Sequence, residues 1–134
     1  MKNSDLDQST ASSADHSAIT KIANDGVGQH VLIDLFGCQR IDDQAYMAAT
    51  LNDCIEAFGM DAKHIHLQTL ENSAISAVVV LGESHINVHT WPQQGFAAFD
   101  LFLPKHYQAD VLGDILKRAF HPQRLSIGQH DRGT

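Results

Sequence analysis

Cysteine is scarce, with only Cys38 and Cys54 in 134 residues. One possible pair does not make the dense disulfide framework of a small secreted scaffold, so a reducing, cytoplasmic setting is expected. Proline stops at three residues and glycine at nine, which excludes collagen-like and low-complexity architectures. Basic residues are the minority charge: nine Lys and Arg against sixteen Asp and Glu leave a formal charge of −7. A broad nucleic-acid-binding face is therefore not expected. No apolar run nears the roughly 18 residues of a membrane span. The start of the chain is polar after Lys2 and carries no apolar segment of a secretory signal.

What is present is the make-up of a globular chain, 43% hydrophobic and 19% charged, long enough for one domain with a real core. Residues 1–25 are rich in Ser, Asp and Ala without periodicity, and read as a flexible polar leader. Folding is expected over 26–134.

From His30 to Phe36 the alternation of His30, Leu32, Asp34 and Phe36 against Val31, Ile33 and Leu35 reads as a strand with two differently used faces. Asp42 or Asp43 suits a helix N-cap. Met47, Leu51, Cys54, Ile55 and Phe58 follow at helical spacing, and Gly59 supplies the stop. Strand patterns run over His64–Thr69 and Ser76–Leu81, with Glu71-Asn72-Ser73 between them. They continue over Ile86–Trp91, break at Pro92-Gln93-Gln94-Gly95, and resume over Phe96–Leu103. Pro104 suits the first turn of a second helix with a stripe of Val111, Leu112, Ile115, Leu116 and Phe120. Pro122 ends it, and Arg124–Gly128 makes a last short strand. The order β-α-β-β-β-β-α-β predicts an α+β two-layer sandwich, with helices on one face of a largely antiparallel sheet.

Nine histidines raise the question of a metal. His64 and His66 share a strand face. His85 and His89 lie about 13 Å apart on a strand, too far to chelate one ion. Surface or hydrogen-bonded histidines are the default, and no metal site is expected. Both cysteines read as buried, inert thiols.

The most unusual run is Gly82-Glu83-Ser84-His85-Ile86-Asn87-Val88-His89-Thr90-Trp91-Pro92, which puts His85, Asn87, His89 and the single Trp on one strand face. This run, with Gly95 and Ala97-Ala98-x-Asp100-Leu101-Phe102 after it, resembles the core of the prokaryotic S-adenosylmethionine decarboxylases, small pyruvoyl enzymes of polyamine (spermidine) synthesis. Gly28-x-His30-x-Leu32-x-Asp34-Leu35-x-Gly37-Cys38 is similar to the same family's first strand.

The resemblance implies self-processing between Glu83 and Ser84. Ser84 Oγ attacks the Glu83 carbonyl, the amide becomes an ester, and β-elimination and hydrolysis leave a pyruvoyl group on a chain of 84–134 and a free carboxylate on 1–83. His89 matches the processing histidine and Ser76 the serine that assists it. The pyruvoyl ketone, the only cofactor implied, takes up a substrate amine as a Schiff base and accepts the electron pair as CO₂ departs. The substrate is a small amino-acid-type molecule, met by Trp91, Gln93, Leu70 and Glu71. The resemblance also implies a homodimer with active sites built across the subunit contact. His85 reads as structural, or as a support behind the residues that meet the substrate.

Three positions depart from the family's pattern. Its proton-returning cysteine is Pro104 here, its ribose-binding glutamate is Gln93, and the aromatic expected to stack opposite Trp91 is Leu70. Cleavage residues are kept while nucleoside-pocket residues change. Two alternatives therefore stand beside S-adenosylmethionine decarboxylation. One is the same chemistry on a basic amino acid such as ornithine or arginine, with Glu71 or Asp100 facing its distal cation; the other is a non-catalytic partner of a true decarboxylase.

Overall fold

The computed structural model describes residues 26–134. The leader assigned to 1–25 lies outside the described residues. Strand β1 (Gly28–Phe36) buries Val31, Ile33 and Leu35 completely and leaves His30, Leu32, Asp34 and Phe36 half-exposed on its other side, which is the predicted alternation. Helix α1 (Gln44–Ala57) begins at Asp43, whose extended backbone (φ −99°) lets its carboxylate accept the Tyr46 N–H at 3.0 Å. Met47, Thr50, Leu51, Cys54 and Ile55 form its buried face. The chain leaves the helix through Gly59 at φ +65°, where a side chain would be strained.

Strands β2 (His64–Thr69) and β3 (Ile75–Leu81) are joined by a turn in which Asn72 Oδ1 accepts the Ala74 N–H at 3.2 Å. Strand β4 (Ser84–Trp91) follows after two residues. A single 3₁₀ turn at Pro92–Gln94 leads into β5 (Phe96–Leu103), then helix α2 (Ala109–Phe120) and strand β6 (Arg124–Arg132). The strands form one sheet in the order β2-β3-β4-β5-β1-β6, every neighbour antiparallel.

Both helices cover the same face. Phe120 on α2 meets Phe99 of β5 with ring centroids 6.2 Å apart, and Tyr46 of α1 edge-on at 5.8 Å. The Tyr46 hydroxyl donates to the Ala119 carbonyl at 2.8 Å, so the apolar layer and one polar bond lock the helices together. The predicted class, an α+β sandwich with a largely antiparallel sheet, is the architecture observed.

Several details differ from expectation: β3 begins at Ile75, one residue early, and β4 at Ser84, two residues early. Pro104 does not open α2, which starts five residues later. Pro104 instead begins a turn closed by Tyr107 N–H to Pro104 O at 3.2 Å. Buried Gln29, on β1, donates Nε2–H to the carbonyls of Pro104 (3.2 Å) and Tyr107 (2.6 Å), holding that segment as a loop. Val111 is 40% exposed, because the buried stripe of α2 is Ala109, Leu112, Gly113, Leu116 and Phe120. The last strand reaches Arg132 because it pairs with β1 along its whole length.

Candidate active site on the helix-free face of the sheet

The second face of the sheet carries no helix, and the registers arrange its side chains in rows. One row runs His130, His30, Phe102, His85, Val80, His64 across β6, β1, β5, β4, β3 and β2. Further along the strands come Leu32, Asp100, Asn87 and Val78, then Asp34, Ala98, His89 and Ser76. The last row brings Phe36, Phe96 and Trp91 together. Six of the eight described histidines lie on this face.

At one end, Leu81 pairs with Ser84 around the two-residue turn Gly82-Glu83. Gly82 has φ +75°, the left-handed conformation that a tight hairpin demands of its first turn residue. Ser84 is 5% exposed and shares its parity with core-facing Ile86, Val88 and Thr90, whereas Glu83 is exposed. Beside the turn opens a cleft of about 750 Å³ lined by Val27, Val78, Val80, Gly82, Glu83, Ser84, His85, Asn87 and Phe102. The His85 ring lies nearly parallel to Phe102, with centroids 5.9 Å apart and 17° between planes. Burial pushes the His85 pKa down, and neighbouring His30 lowers it further while Asp100 opposes both. The register that pairs His85 with Phe102 brings Pro104 to this same end of the sheet.

At the other end, His89 faces Ser76 directly across the β3–β4 ladder. The His89 ring sits 4.4 Å from that of Trp91, which packs on Phe96 at 5.3 Å. Phe96 in turn meets Phe36 at 5.1 Å, beneath the Arg124 guanidinium. Leu70 and Glu71 enter the β2–β3 turn at this end, and Gln93 is exposed in the 3₁₀ turn.

The fold thus gathers Ser76, His89, Trp91, Leu70, Glu71 and Gln93 at one end and Glu83 and Ser84 at the other. His89 is five residues along β4 from Ser84, about 16 Å for extended chain. The cluster of His30, Asp100, Phe102 and His85 was missed in the sequence because it depends on β5 lying between β1 and β4. His64 and His66 stand exposed on β2. Among the described residues, no three His, Cys, Asp or Glu side chains are grouped to hold a metal ion. Cys54 is buried, and desolvation pushes its thiol up to about 12; half-buried Cys38 is pushed up to about 11, against the effect of the Ala97 N–H. Cys38 lies at the Trp91 end, where its N–H donates to Gly95 O, and so does not stand in for a thiol at residue 104.

These features define a two-layer α+β protein with six histidines on one uncovered sheet face and Ser84 on the core-facing parity of β4 at the hairpin end. The family model described as S-adenosylmethionine decarboxylase matches residues 29–133. The S-adenosylmethionine decarboxylase proenzyme of Thermomicrobium roseum is 32% identical over 109 residues, covering 80% of this chain and 94% of that protein. The proenzyme of the same description from Methanococcus maripaludis strain C7 is 32% identical over 111 residues, covering 80% and 90%. The crystal structure of the adenosylmethionine decarboxylase from Aquifex aeolicus VF5 has the same fold, with a TM-score of 0.70 at 24% identity over 81% of this chain and 92% of that one. The chain belongs to the S-adenosylmethionine decarboxylase family.

Proposed function

We propose that this chain is a self-processing, pyruvoyl-dependent decarboxylase of polyamine biosynthesis acting on S-adenosylmethionine. The observation that carries the reading is the Glu83–Ser84 bond itself: it lies in a tight hairpin, at the mouth of a cleft large enough for a substrate. The name proenzyme, borne by the Thermomicrobium roseum relative, supports a cleaved product.

The processing steps follow from residue chemistry. Ser84 Oγ adds to the Glu83 carbonyl carbon, and the amide nitrogen leaves with a proton to give an ester. Loss of the Ser84 Cα proton then expels the Glu83 carboxylate, and water converts the remaining dehydroalanine to a ketone with release of ammonia. Fragments 1–83 and 84–134 result. The site fits a pyruvoyl group made in place, since residue 84 is screened from bulk water yet lines the cleft. Once made, that group supplies a ketone that takes up the substrate amine and accepts the electron pair freed with CO₂.

His89, backed by Ser76, is the proton carrier of processing. Its 16 Å separation from Ser84 supports a homodimer in which one copy's His89 serves the other copy's Ser84. An isologous, face-to-face pairing of two helix-free faces brings opposite strand ends together twice. The half-exposed Phe102 and Phe96 and the exposed Trp91 of that face suit such burial. Trp91 then forms an aromatic wall for the substrate, with Leu70, Glu71 and Gln93 around it. Unpaired Cys38 and Cys54 accord with a cytoplasmic setting. Among the described residues, no helix is long and apolar enough to cross a membrane.

A second reading keeps the chemistry but changes the amine to ornithine or arginine, and Pro104 together with Gln93 is the observation favouring it. The names of the relatives favour S-adenosylmethionine. The non-catalytic reading draws no support from the intact Glu83-Ser84 and Ser76–His89 pairs. Intact mass of purified protein, with CO₂ release measured from all three substrates, tests the proposal. Two fragments meeting at 83/84 and fastest release from S-adenosylmethionine are expected; an uncut chain overturns it.

A further inference from the structure

A carbon that loses CO₂ must receive a proton in its place, and the cleft beside Ser84 offers few sources. Of its nine lining residues only Glu83 and His85 carry an acidic or basic side chain. Glu83 is exposed at the turn, so its side chain lies toward bulk water and not against the screened wall of the cleft. Pro104, at the nearby end of β5, has no N–H and no acidic side chain. We propose that His85 gives the proton to the substrate carbon after CO₂ departs, an inference that rests on the decarboxylase reading above.

Geometry supports the assignment independently of the residue's place next to Ser84. The His85 ring is half-buried at the cleft wall and held nearly parallel to Phe102, so its nitrogens have a restricted orientation. The groups facing it are His30 from β1, Asp100 from β5 and Glu83 from the hairpin; β3 contributes only Val78 and Val80. Asp100 favours the imidazolium, whereas burial and His30 disfavour it. An imidazolium in this setting is a stronger acid than in water, which makes transfer to carbon more favourable. A substrate carboxylate entering the cleft adds a second anion beside the ring and promotes protonation. That anion vanishes as CO₂ when the proton is needed.

The step balances simply. The Cα–carboxylate bond breaks, its electron pair remains with the substrate, and a ring N–H bond of His85 is exchanged for the new Cα–H bond. Water then reprotonates the ring. When the proton goes instead to the protein-side carbon, hydrolysis releases the substrate as an aldehyde and leaves alanine at residue 84.

The test compares cleaved wild type with His85→Gln during turnover of S-adenosylmethionine, reading CO₂ released and, by intact mass of 84–134, the fraction ending in alanine. His85→Gln is expected to cleave and to complete roughly tenfold fewer turnovers per alanine-ended chain, as loss of a general acid implies. An unchanged ratio overturns the inference. If His85→Gln does not cleave, Asp100→Asn carries the test. Its ratio should begin to fall at lower pH than in wild type, and an unmoved profile is the negative result. Wild type that is cut but releases no CO₂ from S-adenosylmethionine, ornithine or arginine overturns the decarboxylase reading, and this inference with it.

Discussion

His89 stands directly opposite Ser76 on the β3–β4 ladder, yet five residues along its own strand from Ser84. The proposed service of His89 to Ser84, about 16 Å apart along one strand, needs the ring of a second copy. Co-expression of Ser84→Ala with His89→Gln therefore makes a sharp test. Neither variant alone should be cut at 83/84. In the mixture, roughly half of the His89→Gln chains should be cut, because random two-fold pairing gives half of them a partner with an intact His89. A mixture that stays uncut on a denaturing gel rules out assembly of the site from two copies.

Much of this arrangement was legible locally. The bounds of β2 follow from its alternation and those of β5 from its run of aromatic and aliphatic residues, and Asp43 is the N-cap because its carboxylate reaches the Tyr46 N–H. The Ser76–His89 pairing was not legible, because the strand pattern was read only from Ile86, whereas β4 begins at Ser84 and the two-residue turn Gly82-Glu83 sets the register of the hairpin. What else stayed hidden depended on distant chain. Pro104 begins a loop because Gln29, 75 residues earlier, holds its carbonyl. His30 and His85 share a row only because β5 lies between β1 and β4.

Phe120 ties the two layers together, touching Phe99 in the sheet and Tyr46 on α1 while wholly buried. Phe120→Ala should cost about 3–5 kcal/mol, from lost transfer energy and an unfilled cavity. The check is a lower urea midpoint with an unchanged m-value. A loss below about 1 kcal/mol would mean that the helices do not pack on the sheet through this ring.

The thiols give a simple chemical readout. With Cys54 pushed up to about 12 and Cys38 to about 11, both are protonated at pH 8 and poor nucleophiles. Native protein should take up almost no iodoacetamide in the time that urea-unfolded protein takes up two equivalents. Fast labelling of Cys38 in native protein would contradict the raised thiol pKa of this half-buried residue.

His85 also sets a pH dependence. Its folded pKa lies below the ordinary 6.5, mainly through burial. As pH falls through 6.5 the unfolded chain binds a proton that the folded ring declines, so this group contributes its full stability above 6.5 and loses it toward the lower folded value. Denaturation midpoints should decline between pH 7.5 and 5, on the order of the unfolded imidazole range. In His85→Gln the decline should be shallower, and an identical slope would refute the assigned setting.

Two glycines on neighbouring strands separate packing from chemistry. A Cβ at Gly28 would lie 2.7 Å from the Leu103 carbonyl oxygen and 2.9 Å from Phe102 Cζ, whereas at Gly128 it would meet nothing within 4 Å. The carbonyl is backbone within the β1–β5 ladder and has little room to yield, so the Phe102 ring must also move. Gly28→Ala should cost about 1–3 kcal/mol, while Gly128→Ala should stay within about 0.5 kcal/mol of wild type. Because Phe102 holds the His85 ring at the cleft wall, Gly28→Ala should also raise the fraction of chains ending in alanine during turnover, and Gly128→Ala should not. Equal alanine fractions in the two variants, with stability lost only in Gly28→Ala, would show that the Phe102 stack supports the fold without orienting the proton donor.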